Sequence, residues 1–144
     1  MKILLISASL LLLSDKSTFG QNADAILGVW LNADKDGKIQ IYKSGNEYFG
    51  KLIWGKNLYE SDGKTPKKDV KNSDATLKGR PLLNMPILEH YVFQKGEWRN
   101  GKVYDPKSGK TYDSVMKLKD GKLEIRGYIK VVTFGKTTVW TKAD

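Results

Sequence analysis

Cysteine is absent from the 144-residue sequence, and histidine occurs once, as His90. Without cysteine the chain has no disulfide, no thiolate zinc site, no iron–sulfur ligand and no cysteine nucleophile. A single histidine excludes metal sites built on a histidine pair and leaves little for histidine-based catalysis. We therefore predict no metal site, no cofactor and no catalytic residue. An enzyme stays open only through paired carboxylates, for which the candidates are Glu97, Asp105, Asp113 and Glu124.

Long apolar runs are also scarce, and the clearest one lies at the N-terminus. Residues 3–13 are apolar except for two serines, follow Lys2, and precede a short segment of polar and small residues. A membrane-spanning helix needs ~20 apolar residues, whereas this order is typical of a secretory signal. We predict a signal peptide over residues 1–20 and a single domain over residues 21–144 without a transmembrane segment. The protein would then be exported in a bacterium, to the periplasm or beyond.

Positive charge exceeds negative charge, but arginine is rare. The formal net charge is +9, and the only arginines are Arg80, Arg99 and Arg126. Base readout in nucleic acids favours arginine, and acidic residues are interspersed among the lysines. We therefore expect no nucleic-acid partner, while an anionic envelope surface remains a candidate partner.

Turn signals divide the rest of the chain into short runs rich in Val, Ile, Tyr, Trp and Thr. Asp36-Gly37, Asn100-Gly101 and Asp120-Gly121 are typical of tight hairpins. In the strand between two such turns, alternation places Tyr48, Leu52 and Trp54 on one face. The pattern predicts an all-β fold of about eight antiparallel strands, and a closed barrel removes the exposed edges.

One stretch, residues 55–86, has no sustained alternation. A connection of this length is unusual in a compact domain and often forms a lid or a binding loop, although a solvated loop without function is the alternative. Within it, Ser73 is predicted to cap a short helix that continues to Lys78.

A family pattern is carried by three stretches of the sequence. The first is Gly28-Val29-Trp30, and the second comprises Asp69, Asn72, Asp74 and Gly79-Arg80-Pro81-Leu82. The third runs from Trp98 to Trp140 and includes Gly101-Lys102-Val103-Tyr104-Asp105-Pro106, Gly109-Lys110-Thr111-Tyr112 and Leu123-Glu124-Ile125-Arg126-Gly127-Tyr128. Over nearly all of residues 21–144 the chain resembles family 2147 of the domains of unknown function, which are small exported bacterial proteins. The resemblance implies a lipocalin-like (calycin) β-barrel and no established activity. Ser73 stands where the family usually has proline.

Gly28-x-Trp30 also resembles the lipocalin signature, in which the tryptophan closes one barrel end beneath a basic residue from the last strand. That resemblance implies structural roles for Gly28 and Trp30, and it makes Lys142, just after Trp140, the basic residue. A cation over a tryptophan face contributes ~0.5–2 kcal/mol. We predict that Trp140 is structural too. The segment from Asp105-Pro106 to Gly109 is predicted to be a structural turn, since proline pre-sets φ and glycine supplies the left-handed position.

The first functional hypothesis is an exported, lipocalin-like binding protein for a small apolar or amphipathic molecule, because a barrel of about eight strands can hold one such ligand. The residues predicted to contact the ligand are Tyr48, Trp54, Tyr104, Tyr112 and Arg126, with Arg80 and Asp69 from the 55–86 loop. Arg80 would pair with a ligand carboxylate. In the alternative, it pairs with Asp69 or Asp74 and only pins the loop.

The second hypothesis is an envelope interaction protein with a filled barrel that acts through its basic surface. The volume of the barrel interior discriminates between the two, since a packed interior leaves only the surface for binding.

Overall fold

The computed structural model describes residues 22–143, so the predicted signal peptide lies outside the described residues. The elements are two short 3-10 helices, η1 (Ala23–Ile26) and η2 (Ala75–Leu77), and eight strands, β1 (Gly28–Asn32), β2 (Gly37–Ser44), β3 (Glu47–Gly55), β4 (Pro86–Gln94), β5 (Glu97–Asp105), β6 (Lys110–Lys119), β7 (Lys122–Tyr128) and β8 (Gly135–Lys142). Neither helix is long and apolar enough to cross a membrane, and this holds for residues 22–143 as a whole.

Each strand pairs antiparallel with the next one in sequence, and β8 returns to pair with β1, which closes a barrel. The predicted antiparallel barrel of about eight strands with one long irregular loop is confirmed. Since successive strands reverse direction, the connections fall at two ends. The "closed end" carries η1 and the hairpin turns 45–46, 95–96 and 120–121. The "loop end" carries the connections 33–36, 56–85, 106–109 and 129–134.

The short helix predicted in the irregular stretch is present as η2, but its cap differs from the prediction. Asp74, not Ser73, is the N-terminal cap, and its Oδ1 accepts hydrogen bonds from the Thr76 N–H at 3.0 Å and the Thr76 hydroxyl at 2.6 Å. Aspartate caps as well as serine does, and Asp74 directly precedes the first residue of η2.

Irregularities in strand pairing decide whether some side chains point into the barrel or away from it. The register shifts between Lys38 and Ile39, opposite the end of β3, and Trp54 pairs with Lys38. Ile39 is fully buried, whereas Lys38 lies on the outer face with its Nζ 5.5 Å from the centroid of the Trp54 ring. Trp54 is therefore 40% exposed on the outside of the barrel. The prediction that Trp54 shares a face with Tyr48 is wrong, because strict alternation does not survive a β-bulge.

Side chains of the protein itself fill the barrel interior. Trp98, Tyr48, Tyr91 and Met116 are each at most 1% exposed and belong to one continuous hydrophobic core. Tyr91 of β4 lies across Gly101 of β5, where a Cβ atom would come within 2.4 Å of the Tyr91 ring. These side chains therefore occupy the part of the barrel interior in which a ligand was expected.

The helix η1 covers the closed end and is held there by three aromatic side chains. Ile26 is fully buried, and its carbonyl accepts a 2.9 Å hydrogen bond from Trp30 Nε1. Trp98 Nε1 donates to the Ala23 carbonyl at 2.9 Å, and the Tyr48 hydroxyl donates to Asp24 Oδ1 at 2.5 Å. Burial and the Asp24 carboxylate raise the pKa of Tyr48 to about 12. Tyr48 therefore closes the barrel end and does not face a pocket.

Two buried hydroxyls in the core, those of Tyr91 and Ser114, have no hydrogen-bond partner among residues 22–143. We expect Tyr91→Phe to leave the free energy of unfolding unchanged or to raise it by up to about 1 kcal/mol, because it removes only an unpaired polar atom. The matched change is Tyr104→Phe, which removes a hydroxyl that donates to Asp69 at 2.6 Å and should cost about 1–2 kcal/mol. Urea unfolding measures both. A loss above about 1 kcal/mol for Tyr91→Phe would contradict this account.

Candidate functional site

The 56–85 connection is fixed to the barrel wall by one buried carboxylate, that of Asp69. Its side chain is fully buried. Oδ1 accepts a hydrogen bond from the Tyr104 hydroxyl at 2.6 Å. Oδ2 accepts hydrogen bonds from Asn72 Nδ2 at 2.9 Å and from Arg80 Nε at 3.1 Å. Asp69 thereby connects two parts of the loop to strand β5.

Backbone pairing supports the same arrangement. The Asp69 N–H donates to the Arg80 carbonyl at 2.9 Å, and the Leu82 N–H donates to the Lys67 carbonyl at 2.8 Å. On the other side, the loop packs on the β5–β6 turn, where a Cβ atom at Gly109 would lie 1.9 Å from the Lys71 carbonyl oxygen. Gly109 also has φ +73°, so glycine is required there both for its backbone conformation and for the close approach.

The electrostatics of Asp69 follow from this geometry. Burial alone raises the pKa of a carboxyl group, but the hydrogen bonds from Tyr104, Asn72 and Arg80 favour the ionised form and hold the pKa of Asp69 below its usual value. Conversely, burial and the adjacent Asp69 carboxylate raise the pKa of Tyr104 to about 12. At neutral pH the site therefore contains an ionised Asp69, a neutral Tyr104 and a cationic Arg80.

This cluster holds Arg80 in place but satisfies only part of its hydrogen-bonding capacity. Its Nε bonds to Asp69, and its guanidinium carbon lies 5.6 Å from the centroid of the Tyr104 ring. The Arg80 side chain is 27% exposed. Within residues 22–143, neither of its terminal nitrogens has a hydrogen-bond partner. The alternative in which Arg80 pairs with Asp69 describes the geometry, and yet the four N–H donors of the two terminal nitrogens remain available to a ligand.

Arg80 lines a groove of about 480 Å³ between the 56–85 loop and strands β4 to β6, here called the "loop groove". Its basic lining residues are Arg80, Lys102 and Lys110, and its acidic one is Glu89. Its apolar lining comes from Leu77, Pro86, Ile87, Ile129 and the rings of Tyr104 and Tyr112. The groove thus combines an apolar surface with a net positive charge.

Of the seven residues predicted to contact a ligand, four come together here. Arg80, Tyr104 and Tyr112 line the loop groove, and Asp69 lies beneath it. The other three lie apart: Tyr48 at the closed end, Trp54 on the outer face of β3, and Arg126 on the outer face of β7.

Arg126 faces outward because it alternates with Ile125, which is buried. Its Nε donates to the Val132 carbonyl at 2.8 Å, Nη2 to the Thr133 carbonyl at 3.0 Å, and Nη1 to the Thr137 hydroxyl at 2.8 Å. Arg126 also lines a second groove of about 540 Å³ on the outer wall of β5 to β8. Glu97, Arg99 and Lys117 also line that groove, and Glu97 forms ion pairs with both of the other two.

The residues predicted to be structural are placed as follows. Gly28 begins β1 with φ +116°. Lys142 Nζ lies 4.8 Å from the centroid of the Trp30 ring and donates to the Leu27 carbonyl at 2.5 Å. Trp140 packs against the core, and its Nε1 donates to the Thr138 hydroxyl at 2.9 Å.

The β5–β6 turn has the predicted character. Asp105 Oδ1 accepts a hydrogen bond from the Lys107 N–H at 3.0 Å, and the Ser108 hydroxyl donates to Oδ2 at 2.8 Å. The Gly109 N–H donates to the Asp105 carbonyl at 2.8 Å, across Pro106. The carboxylate of Asp105 is used in the turn itself.

Sequence reasoning did not select three residues that contribute to the loop groove. Asn72 was noted only as part of a family motif, although it holds Asp69. Lys110 lies in a family motif too, but a lysine at a strand start is common, and so is an isoleucine in a strand, such as Ile87. No group of three or more histidine, aspartate or glutamate side chains suited to a metal ion occurs in the described part of the chain.

Comparison with known proteins agrees with the fold. The family model DUF2147, described as an uncharacterized protein conserved in bacteria, matches residues 28–142. Protein HP1028 from the human pathogen Helicobacter pylori, described as belonging to the lipocalin family, is similar in structure with a TM-score of 0.69. The similarity covers 83% of each chain at 21% sequence identity. No curated protein matches the chain. The resemblance drawn from the motifs is confirmed, and the chain belongs to the DUF2147 family of uncharacterized bacterial proteins.

Proposed function

We propose that this protein is an exported, non-catalytic binding protein for a small amphipathic molecule with an anionic group, and that the loop groove is its binding site. The observation that carries the proposal is Arg80. Its guanidinium is held by Asp69 and Tyr104, and Arg80 lines the groove with its two terminal nitrogens free of hydrogen bonds to the described residues. The lipocalin-like fold supports a role in small-ligand binding, and the packed core moves the proposed site from the centre of the barrel to the loop groove.

The positive charge of the loop groove favours a ligand with an anionic group. Three cations and one carboxylate line the groove, and Lys102 is already paired with Asp113. Arg80 and Lys110 are therefore the cations available to a carboxylate or phosphate group. Because Asp69 fixes the guanidinium before a ligand arrives, little side-chain entropy is lost on binding.

Shape and apolarity select the rest of the ligand. The groove volume of about 480 Å³ lies within the range of ~300–1,000 Å³ that is usual for small-molecule sites. Ile87 is buried at the wall of the groove, whereas Leu77 and Ile129 are exposed around it. A short acyl chain or a ring system would cover these side chains, with its acidic group at Arg80.

Export is part of the proposal and rests on the predicted signal peptide over residues 1–20. The expected result is that the protein isolated from its own bacterium lacks these residues and is found in the periplasmic or extracellular fraction. An intact N-terminus in a cytoplasmic fraction would contradict it. The intact mass of the protein from each fraction measures this directly.

The binding test compares decanoate with decanol, which has the same chain but no carboxylate, by titration calorimetry. We expect decanoate to bind more tightly than decanol. Arg80→Gln should weaken decanoate binding by about tenfold or more, as expected for lost hydrogen bonds to a charged group. Lys110→Gln, which removes an exposed charge, should weaken it by about two- to fivefold. Neither change should alter the binding of decanol.

The control variant is Tyr104→Phe. It removes the hydroxyl that donates to Asp69 but keeps the ring and Arg80, so it should lower stability and leave decanoate affinity nearly unchanged. If Arg80→Gln lowers stability but leaves decanoate affinity as it was, Arg80 only pins the loop and the proposal fails. Native mass spectrometry of the protein from its own host then shows whether it carries a ligand that is lost on denaturation.

A further inference from the structure

The β7–β8 connection exposes a cluster of apolar side chains at the loop end. Ile129 is 61% exposed, Val131 49%, Val132 47% and Phe134 79%. These four residues, here called the "apolar tip", lie within six consecutive positions. Single exposed apolar residues need no explanation, but a contiguous group marks an interaction surface.

Backbone groups of the apolar tip are already hydrogen-bonded within the protein. Arg126 donates hydrogen bonds to the carbonyls of Val132 and Thr133. The N–H groups of Val131 and Phe134 donate to the carbonyls of Ile129 and Val131, at 2.8 and 3.1 Å. Unpaired backbone groups are costly in hydrocarbon, so these four bonds lower the cost of placing the tip among lipids. The same bonds hold the β7–β8 connection in one conformation without the help of a binding partner.

The charged residues nearest to the apolar tip along the β7–β8 segment are all cationic. Lys130 lies within the tip and Lys136 directly after it, and both are exposed. No acidic residue occurs from residue 125 to residue 143. An exposed apolar segment that carries cations within it and next to it matches a surface in which anionic headgroups lie above hydrocarbon.

We propose that the loop end docks on an anionic lipid bilayer, with Val131, Val132 and Phe134 inserted among the acyl chains and Lys130 and Lys136 at the headgroups. This goes beyond the proposed ligand binding, which needs no membrane. Ile129 belongs both to the apolar tip and to the lining of the loop groove, so a docked barrel holds one edge of that groove against the bilayer.

The test is co-sedimentation of the purified protein with vesicles that contain phosphatidylglycerol and with vesicles of phosphatidylcholine alone. We expect binding to the anionic vesicles that weakens as salt is raised. The double variant Val132→Ser/Phe134→Ser should lose about tenfold or more of its partition, because it removes the inserted apolar area. Lys130→Gln and Lys136→Gln should each lose about fivefold.

Matched controls lie elsewhere on the barrel. Val139→Ser changes an exposed valine on the outer face of β8, and Lys95→Gln and Lys122→Gln remove exposed charges at the closed end. All three should bind anionic vesicles like the native protein. Thermal unfolding confirms that every variant is folded.

Two outcomes overturn the proposal. One is the absence of binding to anionic vesicles at low salt, or equal binding by the native protein and the double serine variant. The other is a concentration-dependent dimer in sedimentation velocity that the serine variant abolishes, since a second copy of the chain would then cover the apolar tip.

Discussion

Asp69→Ala should release the 56–85 loop from the barrel wall and lower the free energy of unfolding by about 2–4 kcal/mol. Removing one partner of a buried ion pair costs about 3–5 kcal/mol, and the lower range applies because Arg80 is 27% exposed. The substitution leaves Tyr104, Asn72 and Arg80 without their shared acceptor. Urea unfolding measures the loss, and hydrogen exchange at the Asp69 and Leu82 amides should show the loop opening locally.

Asp74→Ala provides the matched control. Asp74 is in the same loop but exposed, and within residues 22–143 its carboxylate caps η2 and makes no hydrogen bond to the barrel wall. This variant should lose clearly less stability and should keep the amides of residues 69 and 82 protected. Equal effects of the two substitutions would show that Asp69 has no special role in holding the loop.

The dependence on pH follows from the direction of the pKa change. Because the pKa of Asp69 is lower in the folded protein than in the unfolded chain, its ionisation stabilises the fold. That contribution is fully present above the ordinary carboxyl value of 3.8 and is lost as the pH falls through the folded pKa. Asp69→Asn should therefore unfold with a flatter acid dependence than the native protein.

Gly101→Ala should cost about 3 kcal/mol, at the upper end of the range for overpacking a core. A Cβ atom there would lie 2.4 Å from two carbons of the Tyr91 ring. The ring is fully buried and cannot move without disturbing its neighbours. Thermal and urea unfolding both measure the effect.

Gly37→Ala is the matched control, since Gly37 is also a buried strand glycine but its added Cβ would come no closer than 3.4 Å to another atom. We expect that change to cost less than about 1 kcal/mol. Combining Gly101→Ala with Tyr91→Leu should cost less than the sum of the two single changes, because the clashing ring is gone. Strict additivity would mean that the clash is not the cause.

Local sequence signals predicted the barrel well, for identifiable reasons. Turn pairs with glycine mark most of the hairpins, although Asn100-Gly101 lies inside β5, and six of the seven connections between consecutive strands are short. The stretch without alternation identified the one long connection. Each of these features depends on neighbouring residues and requires no knowledge of distant contacts.

The site was harder to predict, because facing directions depend on irregularities that the sequence does not mark. The register shift near Ile39 sends Trp54 outward. His90 and Asn100, with φ of +62° and +61°, introduce similar irregularities into β4 and β5. Tyr48 could not be separated from pocket residues by alternation alone, since its role depends on contact with η1, a helix too short to predict.

The ion pair between Asp69 and Arg80 could be predicted from the sequence, but the groove that the pair helps to form could not. Aspartate and arginine in one loop predict an ion pair, and that pairing was one of two alternatives for Arg80. The packed interior could not be foreseen in the same way. Whether aromatic side chains fill a barrel or line a cavity depends on how closely strands approach, as Gly101 allows Tyr91 to do.

Closure between β1 and β8 also constrains the order in which the fold can form. Trp30 pairs with Lys142, and Lys142 bonds to a carbonyl 115 positions earlier in the chain. As the chain is made from its N-terminus, β1 has only β2 beside it until β8 has emerged. Contacts across such a span form slowly, so β1 keeps an exposed edge through most of synthesis. The arrival of the last strand ends that interval, so the barrel becomes complete only when β8 has paired with β1.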